Sequence, residues 1–322
     1  MLEPQRPADE MMPSASSRVS HLAPGLILAC VGSIAFSGKA IIVKLAYRHG
    51  VDAVTLIMFR MLFALPLFLG LAWWATYRQG VEPTQITRRD WAGILGLGVT
   101  GYYLASFLDF WGLEYISASL ERLILYLNPT LVLIIGRFIY RRHISALQTM
   151  AMAVSYAGVL LVFGHEADFS GPGAAFGALL VFLSAVSYAV YLFYSGEMVR
   201  RLGSMRLVGL ATTVACVLCL VQFLILRPLS AAVVPSEVVW LSVLNATACT
   251  FAPVVMVMMA IERIGAGLTS QVGMIGPMST IAMGVVILGE PFNGWIIAGT
   301  ILVVAGVYLV TRAASGAAPV RR

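Results

Sequence analysis

Apolar residues run along this chain in blocks of about twenty, each closed by a few small or polar residues. Ten blocks are legible, at 24–46, 54–74, 91–110, 116–139, 145–163, 174–194, 207–226, 238–260, 267–289 and 292–311. A helix rising 1.5 Å per residue needs about 20 apolar residues to cross a hydrocarbon layer of ~30 Å. The pattern therefore predicts an all-α integral membrane protein with ten transmembrane helices. The connections are short, 2–16 residues, and carry Gly, Pro, Asp, Glu and Arg. Residues 1–23, rich in Pro, Ser and Glu, read as a flexible N-terminal tail, and 312–322 as a C-terminal tail. The first apolar block is too long for a signal peptide and lacks a small-residue cleavage site.

Composition narrows the class. Of 322 residues, 60% are apolar and only 11% charged, against about 25% charged in soluble domains. That excludes a water-soluble globule, which must cover itself with polar groups, and a disordered chain, which is poor in large apolar residues. Thirty Gly without a triplet period and only four Cys exclude collagen-like and disulfide scaffolds.

Charge sets orientation. With the N-terminus in the cytoplasm, the loops on that side hold 15 arginines and the outer loops only Arg48 and Arg227. Positive residues mark cytoplasmic loops, so both termini are expected in the cytoplasm, in the inner membrane. The net charge of +6 is then a topology signal. The arginines are dispersed over many short loops, so a nucleic-acid partner is not expected.

The halves resemble each other. At an offset of 148, residues 113–162 lie on 261–310 without a gap. Glu114 meets Glu262, Pro129 meets Pro277, Gly136 meets Gly284, and Ala157-Gly158-Val159 meets Ala305-Gly306-Val307. The expectation is two five-helix repeats, 24–163 and 174–311. Five is odd, so the second repeat must lie inverted in the membrane. Arg142 and its counterpart Glu290 then face opposite compartments. Inverted repeats are a mark of secondary transporters, whose two halves exchange conformations.

Transporter sites lie near mid-membrane, at helices interrupted in equivalent positions. Pro129 and Pro277 stand near mid-span, and each frees a carbonyl four residues earlier, at Leu125 and Gly273. Either position also reads as a plain kink. Asn128 precedes the first of these prolines. Six ionisable residues lie in or at the ends of spans: Lys39, Lys44, Arg60, Asp109, Glu121 and Arg122. Distance from the span ends places Lys44 and Asp109 near the surface, where they are expected to snorkel. Lys39, Arg60, Glu121 and Arg122 lie about 8–10 Å deep. The cost of a lone charge at that depth favours pairing, with Glu121 against Arg60 or Lys39 as the expected pair. Such a pair can be structural. It can also be functional, with Lys39 or Arg122 meeting an anionic group of a substrate and Glu121 a cationic group or a proton. Ser184, Tyr188, Tyr191 and Ser195 share one helix face and could orient a ligand or bond between helices. Asn245 and Gln271 are further candidates.

Other chemistry is missing. Cys216-x-x-Cys219 lies inside an apolar block with no second ligand pair, so neither metal nor redox use is expected. The His165-Glu166-Asp168 loop reads as solvated. There is no phosphate-binding loop and no zinc protease pattern. The expectation is a non-enzyme without cofactors.

Several segments together resemble the EamA-type drug/metabolite transporters. Gly32-Ser33 through Lys44-Leu45-Ala46 is similar to the first-span signature of that family. Phe59-Arg60 resembles its "RF" element with the order reversed. Tyr115-Ile116-Ser117-Ala118-Ser119-Leu120 is similar to its entry to the fourth span, and Asn128-Pro129 to its mid-span proline segment. Leu288-Gly289-Glu290-Pro291, followed by Gly299 and Ala305-Gly306-Val307, resembles its "LGE" turn and closing span. Arg141-Arg142-His143 departs from the Gly-Glu turn usual in the first copy. The resemblance implies ten helices around a cavity lined mainly by spans 1, 3, 4, 6, 8 and 9. It implies a permease for small metabolites, amino acids or related compounds and drugs among them, most often as an exporter. Facilitated uptake and a non-transporting membrane scaffold are the competing readings. The expected partners are a small-molecule substrate and the lipid bilayer, with proton coupling and a homodimer both open.

Overall fold

The computed structural model describes residues 15–77, 85–141, 144–170, 173–273 and 275–316. Among them every regular element is helical. In chain order the helices are α1 (Ala15–Tyr47), α2 (Ala53–Tyr77), α3 (Arg88–Leu97), α4 (Ala105–Leu113), α5 (Ala118–Leu125), α6 (Asn128–Tyr140) and α7 (Ala146–Ser170). They continue as α8 (Ala174–Leu202), α9 (Ser204–Leu226), α10 (Ser236–Ala246), α11 (Ala252–Gly273), α12 (Ile275–Met283) and α13 (Gly294–Gly316). Wider π-helical turns join α3 to α4 at Gly98–Leu104 and α10 to α11 at Thr247–Phe251. A third, Gly284–Leu288, follows α12.

Among the described residues eight helical runs are long and apolar enough to cross a membrane. Two further apolar helices, Ile275–Leu288 and Gly294–Leu309, fall where the ninth and tenth spans are expected. The sequence places a connection between 260 and 267, yet helix is continuous over Ala252–Gly273. Packing against α1 shows the chain doubling back inside that run. Gly38, Gly32 and Gly25 meet Cys249, Met256 and Ile264 in turn, whereas Gly273 and Gly276 return past Ser33 and Ser37.

The outer surface is apolar. Trp73, Trp74, Tyr77, Phe138, Ile225 and Trp240 are between 45% and 81% exposed. A water-soluble protein rarely carries so much exposed apolar area, whereas lipid is as apolar as these side chains. Hydroxyls in the helices bond back to their own turn, as Ser33 to the Ala29 carbonyl at 2.7 Å and Ser242 to the Val238 carbonyl at 2.7 Å. No donor or acceptor can be left to solvent in hydrocarbon.

The bundle has two ends of unlike charge. One carries Arg88, Arg89, Arg200 and Arg201, with Arg201 paired to Asp90 at 3.0 Å. Asp90 also completes a reciprocal cap with Thr87 at the start of α3. The other end gathers Asp52, Glu114 and Glu290. Asp52 caps α2 by accepting from the Val54 and Thr55 amides, and lies 3.2 Å from Arg227. Burial alone would raise its carboxyl; hydrogen bonds from Thr55, then the Arg227 charge, hold it below the ordinary value.

Close approach between helices depends on absent side chains. Where α7 crosses α13, a β-carbon on either Gly158 or Gly299 would stand 2.7 Å or less from atoms of the facing helix, the other glycine's carbonyl oxygen among them. Gly158→Leu must push the helices apart. It is expected to destabilise the fold by at least about 1–3 kcal/mol, read as a lower melting midpoint in detergent. An unchanged midpoint would refute this contact.

Candidate functional site

One membrane helix is broken near its middle. After α5 the chain makes a turn at Tyr126–Leu127 and restarts as α6, with Pro129 in its first turn, where a missing N–H costs least. The matching Pro277 lies in the helix Ile275–Met283. Residue 274 lies outside the described residues.

A cavity lies along this break and past Pro277, in two lobes that share Phe36, Tyr102, Arg122, Tyr126, Tyr188 and Val254. The first lobe, about 390 Å³, runs from Pro277 and Gly276 past Tyr191 and Ser195 to Val199 and Ser204, at the arginine-rich end. The second, about 280 Å³, lies deeper, against Lys39, Arg60, Asp109, Asn128 and Pro129.

Five ionisable side chains meet around the deep lobe, each at least nine-tenths buried. Lys39 from α1 lies 2.5 Å from Asp109 of α4 and 3.3 Å from Glu121 of α5. Glu121 is fully buried and borders neither lobe; it stands behind Lys39. Arg60 from α2 donates to the Thr250 hydroxyl at 3.0 Å and lies over the Phe110 ring, 5.1 Å from its centre. Arg122 donates to the Thr280 hydroxyl at 2.9 Å and to the Phe36 carbonyl at 3.3 Å. Through Thr280 and Phe36 it ties α5 to α12 and α1. The aromatic wall is continuous: Tyr102 and Tyr191 meet hydroxyl to hydroxyl at 3.3 Å, and Tyr188 stacks on Tyr191.

Beyond this cluster the bundle is shut. Ala40, Val43, Ala46, Phe110, Leu113 and Ala118 are buried together, and Tyr47 donates to the Phe110 carbonyl at 2.6 Å. Glu290 completes the closure. Its carboxylate accepts from the Ala118 amide at 2.7 Å, the Ser119 amide at 3.2 Å and the Ser119 hydroxyl at 2.6 Å. A carboxylate suits the free N–H groups at the start of α5. Gly289, at φ +73, makes the turn that aims it, and Gly284 leaves it room, since a β-carbon there would stand 2.7 Å from its oxygen.

Of the residues singled out in the sequence, Lys39, Arg122, Asn128, Tyr188 and Tyr191 border the cavity, as do Pro129 and Pro277. Asn245 is buried in α10 and borders neither lobe. The Gln271 side chain lies outside the described residues. Asp109 is a correction. Depth along the helix suggested a snorkelling surface group, but it is 2% exposed and faces Lys39. Its chain end is near the surface, but its helix face points inward. Ser184 is engaged between helices, donating to the Ala105 carbonyl at 2.7 Å. Phe36, Tyr126, Thr250 and Thr280 were not foreseen. Phe36 and Thr280 stand on the inward faces of helices whose other inward residues were recognised.

Comparison with known proteins agrees with the architecture. The EamA-like transporter family matches residues 23–164 and 175–312. The uncharacterized transporter YcbK of Bacillus subtilis (strain 168) is 30% identical over 289 residues, covering 87% of this chain and 90% of its own. An uncharacterized transporter of Archaeoglobus fulgidus is 22% identical over 288 residues, 88% and 96% of the two chains. A crystal structure 18% identical in sequence superposes with a TM-score of 0.63 over 92% of this chain and 99% of the other, a likeness of fold. A multi-pass membrane protein with this pattern of helices, matched along both halves, belongs to the EamA-like transporter family.

Proposed function

We propose that the chain is a secondary transporter of small metabolites, working as an exporter of the inner membrane by alternating access. The observation that carries this reading is the cavity itself. It reaches one end of the bundle, stops at a buried ion cluster, and is latched at the other end by Glu290. The arginine-rich end belongs in the cytoplasm by the positive-inside rule, which makes this the inward-facing state, with both termini on that side.

The reading includes ten membrane helices in two inverted repeats, 24–163 and 174–311. Two features support it. The π-helical turns at Gly98–Leu104 and Thr247–Phe251 are centred 148 residues apart, the offset of the matching sequence. The most extensive helix contacts also come in matched sets: α7 with α13, α2 with α9, and α1 with α11 as α4 with α8.

In this reading Lys39, Arg122, Asn128, Tyr188 and Tyr191 line the route, and Pro129 and Pro277 mark the flexing points. Asp109 and Glu121 share one ammonium group, so taking up a proton between them is the natural coupling step. Proteoliposomes loaded with a defined panel of amino acids, nucleosides and organic acids are expected to lose at least one of them faster than empty-membrane controls. Uniform retention would overturn the transporter reading. A pH gradient should speed that loss, and Glu121→Gln should remove the acceleration. An unaltered pH response in this variant would exclude Glu121 from coupling.

A further inference from the structure

We infer that the cavity selects a compact monocarboxylate with an apolar body and no ammonium group, its carboxylate held by the Arg122 guanidinium with Arg60 as the second cation. This rests on the transporter reading and names its substrate class.

The balance of charge points there. Among the described residues Lys39, Arg60 and Arg122 face Asp109 and Glu121, so with both carboxylates ionised the five groups leave one positive charge unmatched. Both carboxylates are engaged by Lys39, at 2.5 and 3.3 Å. Among the described residues, neither guanidinium has a carboxylate within 4.0 Å. Their recorded acceptors are neutral oxygens: Thr280 and Phe36 for Arg122, Thr250 and Ser106 for Arg60. A guanidinium carries five N–H donors in a planar fork that matches a carboxylate and keeps its proton in a protein interior. An unmatched buried charge is costly, and a single ligand anion removes that cost. With both carboxylates ionised, a dianion would overshoot the balance. Of the two carboxylates only Asp109 borders the cavity, and Lys39 holds its Oδ2 at 2.5 Å, so the ammonium group of a zwitterion would have to compete with Lys39.

Geometry fixes which cation reads the ligand. Arg122 borders both lobes, whereas Lys39 and Arg60 border only the deep one. The remaining walls of the first lobe, Val254, Val257 and Met258 with Tyr126, Tyr188 and Tyr191, suit an alkyl or aryl body.

The test uses matched ligands on the full chain in lipid nanodiscs, titrated by the rise in melting midpoint. One set is 3-phenylpropanoate, 3-phenylpropanamide and phenylalanine; the other is 4-methylpentanoate, its amide and leucine. At least one acid is expected to bind about tenfold or more tighter than both its amide and its amino acid, the worth of one charge-assisted hydrogen bond. Equal or tighter binding of the amides or amino acids, or no binding by either acid, overturns the inference. That comparison is made on the unaltered protein, so it does not depend on any variant folding. Arg122→Gln is expected to bring the acid down to the affinity of its amide and leave the amide unchanged. An acid preference that survives this change overturns the role given to Arg122. The liposome flux assay decides the transporter reading separately: efflux of neutral or zwitterionic compounds alone would sustain transport and refute anion selection.

Discussion

Replacing Lys39 by methionine is expected to cost the folded protein roughly 3–5 kcal/mol, the usual loss when one partner of a buried ion pair is removed. The reason lies in who remains. Asp109 and Glu121 are 2% and 0% exposed, and Lys39 is the cation within 4.0 Å of either among the described residues. Methionine fills the space but leaves two carboxylates facing each other in a low-dielectric interior. The protein should melt several degrees lower, and flux should fall with it. Adding Asp109→Asn to Lys39→Met removes one of the stranded charges and should recover much of the lost stability. A single variant as stable as the parent would mean that water or an unseen group already satisfies these carboxylates. The triad would then not be the bolt across the bundle.

The second large effect concerns the latch. Glu290→Ala removes three hydrogen bonds at once, each to a charged acceptor and worth about 1.5–3 kcal/mol. The fold itself should survive, because Ser117 still caps α5 by accepting from the Leu120 amide at 3.0 Å. In the proposed alternating-access reading, what changes is the preference between the two faces of the transport cycle. Losing even about 3 kcal/mol from the closed outer face shifts the equilibrium more than a hundredfold. A cysteine placed at Ala40, fully buried here, reports the shift once the four native cysteines are replaced by alanine. An impermeant maleimide added outside cells should label it in the Glu290→Ala background and barely at all beside intact Glu290. Equal labelling in both would show that the outer face is closed by packing alone.

The membrane helices were legible because the cost of exposing backbone to lipid forces long apolar blocks, and nothing else in the chain resembles them. The block ends were less so. α1, α8 and α13 overrun their apolar stretches, since a helix can leave the membrane without breaking. The reversal inside Ala252–Gly273 had a readable position but no loop to announce it. Pairing was partly legible: Lys39 with Glu121 follows from the cost of lone charge. Asp109 was misplaced because depth was measured along the chain, while burial depends on which face of α4 looks inward. Asn245 lies outside both lobes, and its side-chain nitrogen and oxygen are buried with no hydrogen-bond partner among the described residues. The sequence gives the polarity of such a residue and not the face it looks toward.

Among the described residues the buried charges around the cavity come from α1, α2, α4 and α5, before residue 123, while the later helices bring tyrosines, hydroxyls and glycine. In the two-repeat reading the scaffold is doubled but its electrical equipment is not. Membrane voltage therefore grips one side of the machine and leaves the other to act as a passive jaw. Polarising the cell would bias the resting pose before any cargo arrives, and a neutral relative with the same architecture would feel no such pull.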